Sequence, residues 1–415
     1  MHLRDLVDPV PAEEFLNEIF GRSPRLFTGD PDRFASLISW DTLSDIAPRE
    51  HVTPLRLRVA RGAEDVPETE YIHTVSTPEG DAFRTVRMPE LMSVLRQGAT
   101  LIVDAVDRVH PPVELLAHRL EHTLREPVQI NAYGTWGTDQ GFSPHWDDHD
   151  VLVLQVAGEK EWTLYGPPRR SWPLGRDIEE NPMPEDESEL NVLTLAPGDV
   201  LHVPRGWWHG VRPVKGPTLH LTVAVPRTTG IDLVNWLADQ VCCEPGFRKD
   251  LPRYGPADDR TRHMTRLRDT LSSLLEEPGL LERFFLDRDA CAPVRQRFSL
   301  AAVDELTGRL GDGEAVTWLA PRAVLLDEGE RVALLANGRR RTFTASAGGM
   351  LEHLLAEMET TAGRVIGVGV SEPGIGEPEA RAFLTELVDA GLVAVGGSGT
   401  PVSARPVARR PSGAR

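Results

Sequence analysis

Hydrophobic and polar residues alternate between helical and strand-like spacing along the first 228 residues. Apolar residues three or four positions apart predict amphipathic helices at 11–20, 89–95 and 111–125. Short apolar runs bounded by turn residues predict buried strands, which lie at 99–103, 128–133, 151–156, 200–203 and 218–225. Gly158 is predicted to end the central run, with 160–165 returning as its hairpin partner. The pattern indicates a mixed α and β domain in which helices lead into a set of buried strands.

The spacing becomes purely helical after residue 229. Thr229 and Asp232 have the spacing of a capping box, with Asp in place of the usual Glu or Gln. A later helix carries apolar residues spaced 3-4-3, typical of a short coiled-coil seam, at Met264, Leu267, Leu271 and Leu274. A third helix is predicted around 280–285. These helices could pack against a second copy of the chain or cover the strands of their own subunit.

Residues 301–395 have the pattern of a separate small module. Asn337-Gly338 between two apolar stretches predicts a hairpin, and Gly391 is an expected left-handed cap after the last helix. The helix over 378–388 and its two flanking residues carry four carboxylates, Glu377, Glu379, Glu386 and Asp389, against one arginine, which argues against DNA recognition. Residues 396–415 are rich in Gly, Ser, Pro and Arg without apolar periodicity, so a disordered tail is predicted.

Composition and charge narrow the function classes. The chain has 415 residues, more than one domain's worth, and a formal net charge of −18, which disfavours nucleic acid and suits a basic protein or peptide, or simply solubility. Three cysteines make no disulfide framework and no zinc pattern. No signal-peptide core and no bilayer-spanning apolar run is seen, so a cytoplasmic location is expected.

Candidate chemistry centres on His145-Trp146-Asp147, which precedes the central strand. Residues i and i+2 of a strand face the same way, so an imidazole and a carboxylate would project together. His209 ends a Pro-x-Gly-x-x-His corner that follows the short strand at 200–203, and a closed barrel can bring distant strand ends together. Two histidines and one carboxylate on one face are typical of non-haem Fe(II) oxygenases.

These motifs resemble those of the JmjC-domain ribosomal oxygenases of the cupin superfamily, which are Fe(II)- and 2-oxoglutarate-dependent protein hydroxylases. Asn131 and Tyr133 stand where that family has residues lining the co-substrate pocket. Lys160, fifteen residues after His145, stands where the family has the lysine that binds the distal carboxylate of 2-oxoglutarate. Without the resemblance, a lysine after the turn at 157–159 would be expected on the surface.

The resemblance implies an α+β fold built on a double-stranded β-helix (cupin/JmjC) barrel. Four segments are then expected: a catalytic domain with its helical lead-in at 1–228, a helical dimerisation region at 229–300, a winged-helix-like domain at 301–395 and the tail. The resemblance therefore favours a homodimer over helices that cover their own subunit.

The implied activity is hydroxylation of a side chain in a protein or peptide, with a ribosomal-protein-like Arg or His favoured, using Fe(II), 2-oxoglutarate and O2. The alternatives are N-methyl-lysine demethylation by the same chemistry and a metal-binding cupin that acts as a scaffold or sensor. His220 is expected to pack or to support the ligands, whereas His149 and His202 are expected to support the ligands or to lie on the surface. The acidic segment 177–189, with seven carboxylates, is either a disordered insertion or a lid over a basic substrate.

Overall fold

The computed structural model contains two compact units, Met1–Ala292 and Pro293–Arg415. It describes residues 1–47, 56–62, 64–76, 78, 80, 82–137, 143–175, 181–184, 190–295, 297, 310–371 and 375–396. Most of the acidic segment 177–189 and the tail beyond Gly396 lie outside these residues, so the predictions made for them are not addressed by the structure. The predicted helical region 229–300 falls, up to Ala292, in the first unit.

Short helices and one strand hairpin precede the central strands of the first unit. The helices are α1 (Leu3–Leu6), α2 (Ala12–Glu14, continued as a π-helix over Phe15–Ile19), α3 (Trp40–Ile46), α4 (Met88–Arg96) and α5 (Pro111–Leu124). The strands in this part are β1 (Arg25–Phe27), β2 (Leu57–Arg61), β3 (Glu64–Asp65), β4 (Ile72–Ser76), β5 (Ala82–Val86), β6 (Thr100–Val103) and β7 (Gln129–Thr135). Helices and strands predicted from the spacing are confirmed here within a few residues.

One antiparallel sheet carries the site. Its remaining strands are β8 (Asp150–Leu164), β9 (Asn191–Leu195), β10 (Val200–Val203) and β11 (His209–Val225). The strand order is β1-β10-β8-β11-β7-β6-β2-β3, with β9 paired to β8. The two long central strands, β8 and β11, pair with each other along nearly their whole length. The first half of β8 also pairs with β10 and its second half with β9, while the second half of β11 also pairs with β7.

Gly158 lies inside strand β8, which continues past it. The prediction that the strand ends there and returns as a hairpin was wrong. β8 runs unbroken from Asp150 to Leu164, opposite an irregular register of β11 between Pro213 and His220. Gly158 has φ +65°, and a Cβ there would lie 2.4 Å from the backbone oxygen of Pro217. Only glycine combines this backbone conformation with such a close approach, so the glycine marks a bulge inside the strand.

The N-terminal lead-in packs against the outer side of β10. Phe15 is fully buried, and its ring contacts the imidazole of His202 edge-on at 5.4 Å between centroids. The Nδ1 of His202 lies 3.0 Å from the backbone oxygen of Ser23. Burial lowers the pKa of His202 to about 4, so the ring is neutral at physiological pH. His202 is therefore a buried packing residue; it is not on the surface, which was one of its two expected positions, and it is not among the residues that line the cavity described below.

Four helices complete the first unit: α6 (Gly230–Val241), α7 (Pro245–Arg248), α8 (Ala257–Leu275) and α9 (Leu280–Ala290). The predicted capping box is confirmed, since Thr229 N donates to Asp232 Oδ2 over 2.7 Å. His263 is the one buried residue of α8, while Met264 of the predicted seam is 58% exposed. The other three seam residues, Leu267, Leu271 and Leu274, are half-buried.

The second unit is a small mixed module. Its strands are β12 (Ala315–Trp318), β13 (Val324–Asp327), β14 (Arg331–Ala336), β15 (Arg339–Thr344), β16 (Glu359–Thr361) and β17 (Val393–Val395), and its helices are α10 (Gly348–Glu357), α11 (Ala362–Ser371) and α12 (Glu377–Asp389). The predicted hairpin at Asn337-Gly338 joins β14 to β15, with positive φ at both residues. Gly391 has the predicted left-handed conformation after α12. None of the helices in the described parts of the chain is long and apolar enough to cross a membrane.

Replacing Gly158 with Ala should cost considerably more stability than replacing Gly216 with Ala. Both glycines have φ near +65°, but a Cβ at Gly216 would meet nothing within 4 Å. Gly216→Ala should therefore lose only the left-handed backbone penalty of about 1–2 kcal/mol. Gly158→Ala should lose at least about twice as much in urea unfolding of the full chain, and equal losses would contradict the bulge as the cause.

Candidate active site

The backbones of His145 and His209 are hydrogen-bonded to each other in both directions. His145 N donates to His209 O over 3.0 Å, and His209 N donates to His145 O over 2.8 Å. His209 is the first residue of β11, but His145 does not belong to a regular strand, since β8 begins only at Asp150. The prediction that His145 and Asp147 project together by alternation at the start of the central strand was wrong, because both lie before β8. The backbone bridge joins His145 to His209, the sequence-distant position that a closed barrel was expected to bring close.

Three side chains converge at this bridge. One ligand atom from each of His145, Asp147 and His209 lies within 4.8 Å of the others. The His209 Nε2 and Asp147 Oδ2 atoms are 3.8 Å apart, and the two imidazole centroids are 4.4 Å apart. The three residues predicted as a facial set are therefore adjacent, and two imidazoles with one carboxylate suit Fe(II).

Both imidazoles are oriented in the same way. His145 Nδ1 lies 2.9 Å from Ser143 O, and His209 Nδ1 lies 3.0 Å from Trp207 O. Because a carbonyl can only accept, each Nδ1 carries the proton and each Nε2 keeps its lone pair for a metal. Burial lowers the pKa of His209, which also favours the neutral ligand form.

A polar corner holds the loop that carries Asp147. Gly206 N donates to Asp147 O over 2.8 Å, and Gly206 has φ +83°. Arg205 N donates to one carboxylate oxygen of the buried Asp150 over 2.8 Å, and Arg227 reaches the other over 3.0 Å. The Pro-x-Gly-x-x-His corner is thus fixed to the start of β8 on either side of the ligand cluster.

The cluster opens into a cavity of about 360 Å³ within the sheet. Its lining includes every predicted site residue together with several polar and apolar neighbours: Arg58, Thr100, Asn131, Tyr133, Thr135, His145, Asp147, His149, Val151, Lys160, Trp162, Val203, His209, Val211, Pro213, His220 and Thr222. The structure therefore brings the proposed metal ligands and the proposed co-substrate residues to one cavity.

Lys160 is buried in this cavity, contrary to the exposed position that its local sequence suggests. It is 4% exposed, and its Nζ donates to Thr135 Oγ1 over 3.3 Å. Thr135 in turn bonds Thr100, with 2.9 Å between the hydroxyl oxygens. Burial lowers the pKa of Lys160 from 10.5 to about 7. When Lys160 is protonated, its buried ammonium contacts a neutral hydroxyl, and an anion bound in the cavity would compensate the charge.

Tyr133 and Asn131 project from β7 on the same face as Thr135. The Tyr133 ring stacks on His220, its cross-strand partner, with 4.8 Å between centroids and 5° between planes. Burial, followed by the charge of Asp147, raises the pKa of Tyr133 to about 12, so its hydroxyl stays protonated and can donate. Asn131 Oδ1 accepts from Ala105 N over 2.8 Å, which fixes the amide.

Two buried ring nitrogens in the cavity wall have no hydrogen-bond partner among the described residues. They are Nε1 of Trp162 and Nδ1 of His220, and these rings contact each other edge-on at 6.1 Å. Trp162 also stacks on the ligand His209 at 5.5 Å. An orphaned donor and a buried cation around one cavity fit a small, strongly polar co-substrate, because such groups cost free energy until something pairs with them.

Sequence reasoning did not identify the roles of Trp162, Thr135 and Arg58 as cavity residues. A usable signal existed for Thr135, because it stands two residues after Tyr133 and therefore on the same strand face. His149 lines the cavity without belonging to the ligand cluster. Arg58 lies on β2 and Trp162 lies on β8. Whether their side chains face the cavity depends on how these strands pair with their neighbours in the sheet, which the local sequence does not reveal.

A sequence model of the JmjC domain matches residues 109–233. This segment is similar in sequence to JmjC domains. It contains the ligand cluster, Lys160 and the β7 residues, and the resemblance predicted from the sequence is confirmed. The chain spans about half or less of the length of the curated relatives that it matches.

Two of these relatives are bifunctional lysine-specific demethylases and histidyl-hydroxylases NO66. The protein from Dictyostelium discoideum is 29% identical over 265 residues, covering 60% of this chain and 49% of that protein. The one from Culex quinquefasciatus is 30% identical over 219 residues, covering 52% and 32%.

Solved structures of the Escherichia coli ribosomal oxygenase YcfD have a similar fold. Its complex with cobalt and 2-oxoglutarate has a TM-score of 0.52 at 19% identity and covers 94% of this chain and 99% of that one. A second structure of YcfD has a TM-score of 0.55 at 19% identity, covering 93% and 98%. The chain has a JmjC/cupin-type fold of helices and antiparallel sheets, as the resemblance implied.

Replacing Lys160 with Met should stabilise the co-substrate-free protein. The folded pKa of about 7 lies below the unfolded value of about 10.4, so the cost of burying the charge is fully present below pH 7. This cost disappears as pH rises towards 10. The variant should exceed wild type by about 1–3 kcal/mol at pH 6, and the excess should vanish near pH 10.

The matched control for this change is Lys215→Met, at an exposed lysine of the adjacent strand β11. Thermal unfolding of both variants across pH 6–10 would give the comparison. A pH-independent difference for Lys160→Met, or an equal gain for Lys215→Met, would mean that Lys160 is not desolvated.

Proposed function

We propose that this protein is an Fe(II)- and 2-oxoglutarate-dependent oxygenase that hydroxylates a side chain of a protein or peptide. One observation carries the proposal: a complete set of two imidazoles and one carboxylate shares a cavity with a buried, anion-ready lysine. A metal cluster alone would suit many metalloproteins, and a buried lysine alone would suit many anion sites. Together they match the needs of a reaction that uses a metal and a dicarboxylate at the same time.

His145, Asp147 and His209 would hold Fe(II), and Lys160 would pair with the distal carboxylate of 2-oxoglutarate. With these bound, O2 is used to convert 2-oxoglutarate to succinate and CO2 while one oxygen atom enters a C–H bond of the substrate. The cofactor supplies this chemistry, and the protein supplies placement.

The chain's own residues contribute binding, orientation and exclusion of water. Ser143 O and Trp207 O keep the ligand imidazoles turned with Nε2 towards the metal position. Tyr133 and Asn131 would orient the co-substrate from β7, the tyrosine through a hydroxyl that stays protonated. Trp162 closes the side of the cavity next to His209 and is itself 4% exposed.

A ribosomal-protein-like Arg or His is the favoured target. The support is the function of similar proteins: the NO66 relatives are bifunctional lysine-specific demethylases and histidyl-hydroxylases, and YcfD, which has a similar fold, is a ribosomal oxygenase. Demethylation of N-methyl-lysine is the alternative within the same chemistry, and no feature of the described cavity residues favours it. A metal-binding scaffold is the alternative outside enzymes, and the cost of burying Lys160 argues for a co-substrate instead.

The substrate is proposed to be basic and the protein to act in the cytoplasm. A net charge of −18 would attract cationic peptides and repel nucleic acid. All three cysteines are exposed and free, which suits a reducing compartment.

The second unit is proposed to be winged-helix-like, with no role in reading DNA. The β14–β15 hairpin would be the wing, and Phe343 of that hairpin packs edge-on against Phe383 of α12 at 5.0 Å. The one arginine of α12, Arg381, is paired with Glu377 over 2.8 Å. An acidic helix with its only cation neutralised would be repelled by phosphate.

Replacing His145 or Asp147 with Ala should abolish iron binding and the turnover of 2-oxoglutarate to succinate, with at least about a 100-fold loss, because each supplies one of three ligands. His149→Ala should keep stoichiometric iron, since His149 lines the cavity but lies outside the ligand cluster. Metal content by mass spectrometry and succinate formation without peptide are the measurements. Unaltered iron content in His145→Ala would disprove the assignment.

Candidate ribosomal peptides incubated with the wild-type protein should gain one oxygen atom in intact mass. Loss of a methyl group with release of formaldehyde would instead establish demethylation. Absence of iron-dependent succinate formation would leave the scaffold alternative.

A homodimer is proposed to form through α6, α8 and α9. Apolar side chains of this helical layer are exposed on the single chain, among them Val234 at 62% and Met264 at 58%. Such a concentration of exposed apolar surface marks an interaction site. Helix α9 is also tied to the segment between α5 and β7, since Arg288 pairs with Glu126 and Arg125 pairs with Asp289, both at 2.8 Å.

The double change Val234→Asp and Met264→Asp should convert the dimer to a folded monomer, because it places charge in the apolar contact. Met92→Asp, at a 42% exposed methionine of α4, is the control and should remain dimeric. Sedimentation velocity at micromolar concentration would decide. A monomeric wild-type protein would refute the dimer.

A further inference from the structure

His220 occupies the inner part of the cavity, and its imidazole is held by rings on two sides. The side chain is 4% exposed and lies on β11 directly opposite Tyr133 of β7. Its ring stacks on Tyr133, with 4.8 Å between centroids, and meets Trp162 nearly at a right angle, with 6.1 Å between centroids. Rotation of the imidazole out of this plane would break the stacking on Tyr133.

The two nitrogens of this ring are in different environments. Nδ1 is shielded and has no hydrogen-bond partner among the described residues. The residue nevertheless lines the cavity, so Nε2 is the nitrogen available to a bound molecule. A proton on Nδ1 would be a buried donor that nothing accepts, whereas a proton on Nε2 can be given to a ligand.

The charge of the pocket requires a neutral imidazole. Burial, reinforced by the charge of Lys160, lowers the pKa of His220 well below 6.5. One carboxylate placed beside the Lys160 ammonium gives a neutral pair, and a second cation would leave a net buried charge. A neutral N–H donor can hydrogen-bond to the carboxylate of such a pair without changing the net charge of the pocket.

We propose that His220 binds the co-substrate, donating a hydrogen bond from Nε2–H to the distal carboxylate that pairs with Lys160. This inference rests on the proposed function and adds to it a residue that the ligand and lysine motifs do not include. It also gives a reason for the flat stacking on Tyr133, which holds the donor at one fixed orientation.

The test measures binding without turnover, using the full-length protein loaded with Zn(II) under anaerobic conditions. Calorimetry gives the Kd for 2-oxoglutarate and for 2-oxobutyrate, a 2-oxo acid that lacks the distal carboxylate. His220→Phe keeps the stacked ring but removes the donor. It should weaken 2-oxoglutarate binding about 10- to 100-fold, the size expected for a lost hydrogen bond to a charged group, and leave 2-oxobutyrate binding unchanged.

An amide pair identifies the nitrogen. His220→Gln places an N–H near the position of Nε2, and His220→Asn places it near Nδ1. Gln should recover most of the affinity that Phe loses, and Asn should not. Equal Kd values for wild type and His220→Phe, equal rescue by Asn and Gln, or a parallel loss of 2-oxobutyrate affinity would each overturn the inference.

Nuclear magnetic resonance of ¹⁵N-histidine-labelled protein supplies a readout independent of the variants. With 2-oxoglutarate bound, His220 should be neutral with its proton on Nε2, and a proton on Nδ1 or a doubly protonated ring would overturn the inference. If the wild-type protein binds Zn(II) but no 2-oxoglutarate, the proposed function itself fails. If wild type binds 2-oxoglutarate and the His220 variants bind it equally well, only the role of His220 fails.

Discussion

The reciprocal backbone pairing of His145 with His209 is the constraint on which the site depends. It joins a loop before β8 to the first residue of β11, two segments more than sixty residues apart in the chain. Once those backbones are bonded, two imidazoles must leave adjacent positions, and Asp147 is two residues away. The bonds from Gly206 and Arg205 to residues 147 and 150 keep the loop from moving off this bridge. Such pre-organisation lets a metal bind without first ordering its ligands.

The rest of the cavity follows from the same sheet. β7, β8 and β11 alternate their side chains, so one face collects Asn131, Tyr133, Thr135 and His220 while the opposite face is buried in the core. The consequence is a polar lining inside an otherwise apolar molecule. Most polar groups of this lining are hydrogen-bonded or stacked. Buried polar atoms without a partner, such as Nε1 of Trp162, therefore indicate where a bound molecule could supply one.

Sequence reasoning predicted the three residues of the ligand cluster, which the structure brings together, because their chemistry is local. His145, Asp147 and the corner ending at His209 are short motifs with unusual composition, and the resemblance added Lys160. Burial of Lys160 was not visible locally, since the preceding Gly158 looks like a turn and proves to be a bulge in a continuing strand. The same glycine led to the wrong prediction of a hairpin at this position. A glycine indicates that the backbone adopts an unusual conformation, but only the register of the neighbouring strand decides which one.

The partners of Trp162 and His220 could not be predicted for a related reason. Their contacts depend on a register between β8 and β11 that shifts three times between Pro213 and His220. A shift of one residue would have turned each ring to the other face of the sheet.

The regular stretch of that register has a consequence for the shape of the co-substrate. His209 pairs with Leu164 and Pro213 pairs with Lys160, so the ligand and the lysine are separated by four ladder steps, or about 13 Å of backbone. Paired strands hold this backbone interval constant, so it does not depend on the conformation of either side chain. A molecule that contacts both the ligand cluster and Lys160 must span this interval less the reach of the His209 and Lys160 side chains. The strand register therefore sets the length of molecule that can bridge the two positions, and the side chain at position 160 adjusts it.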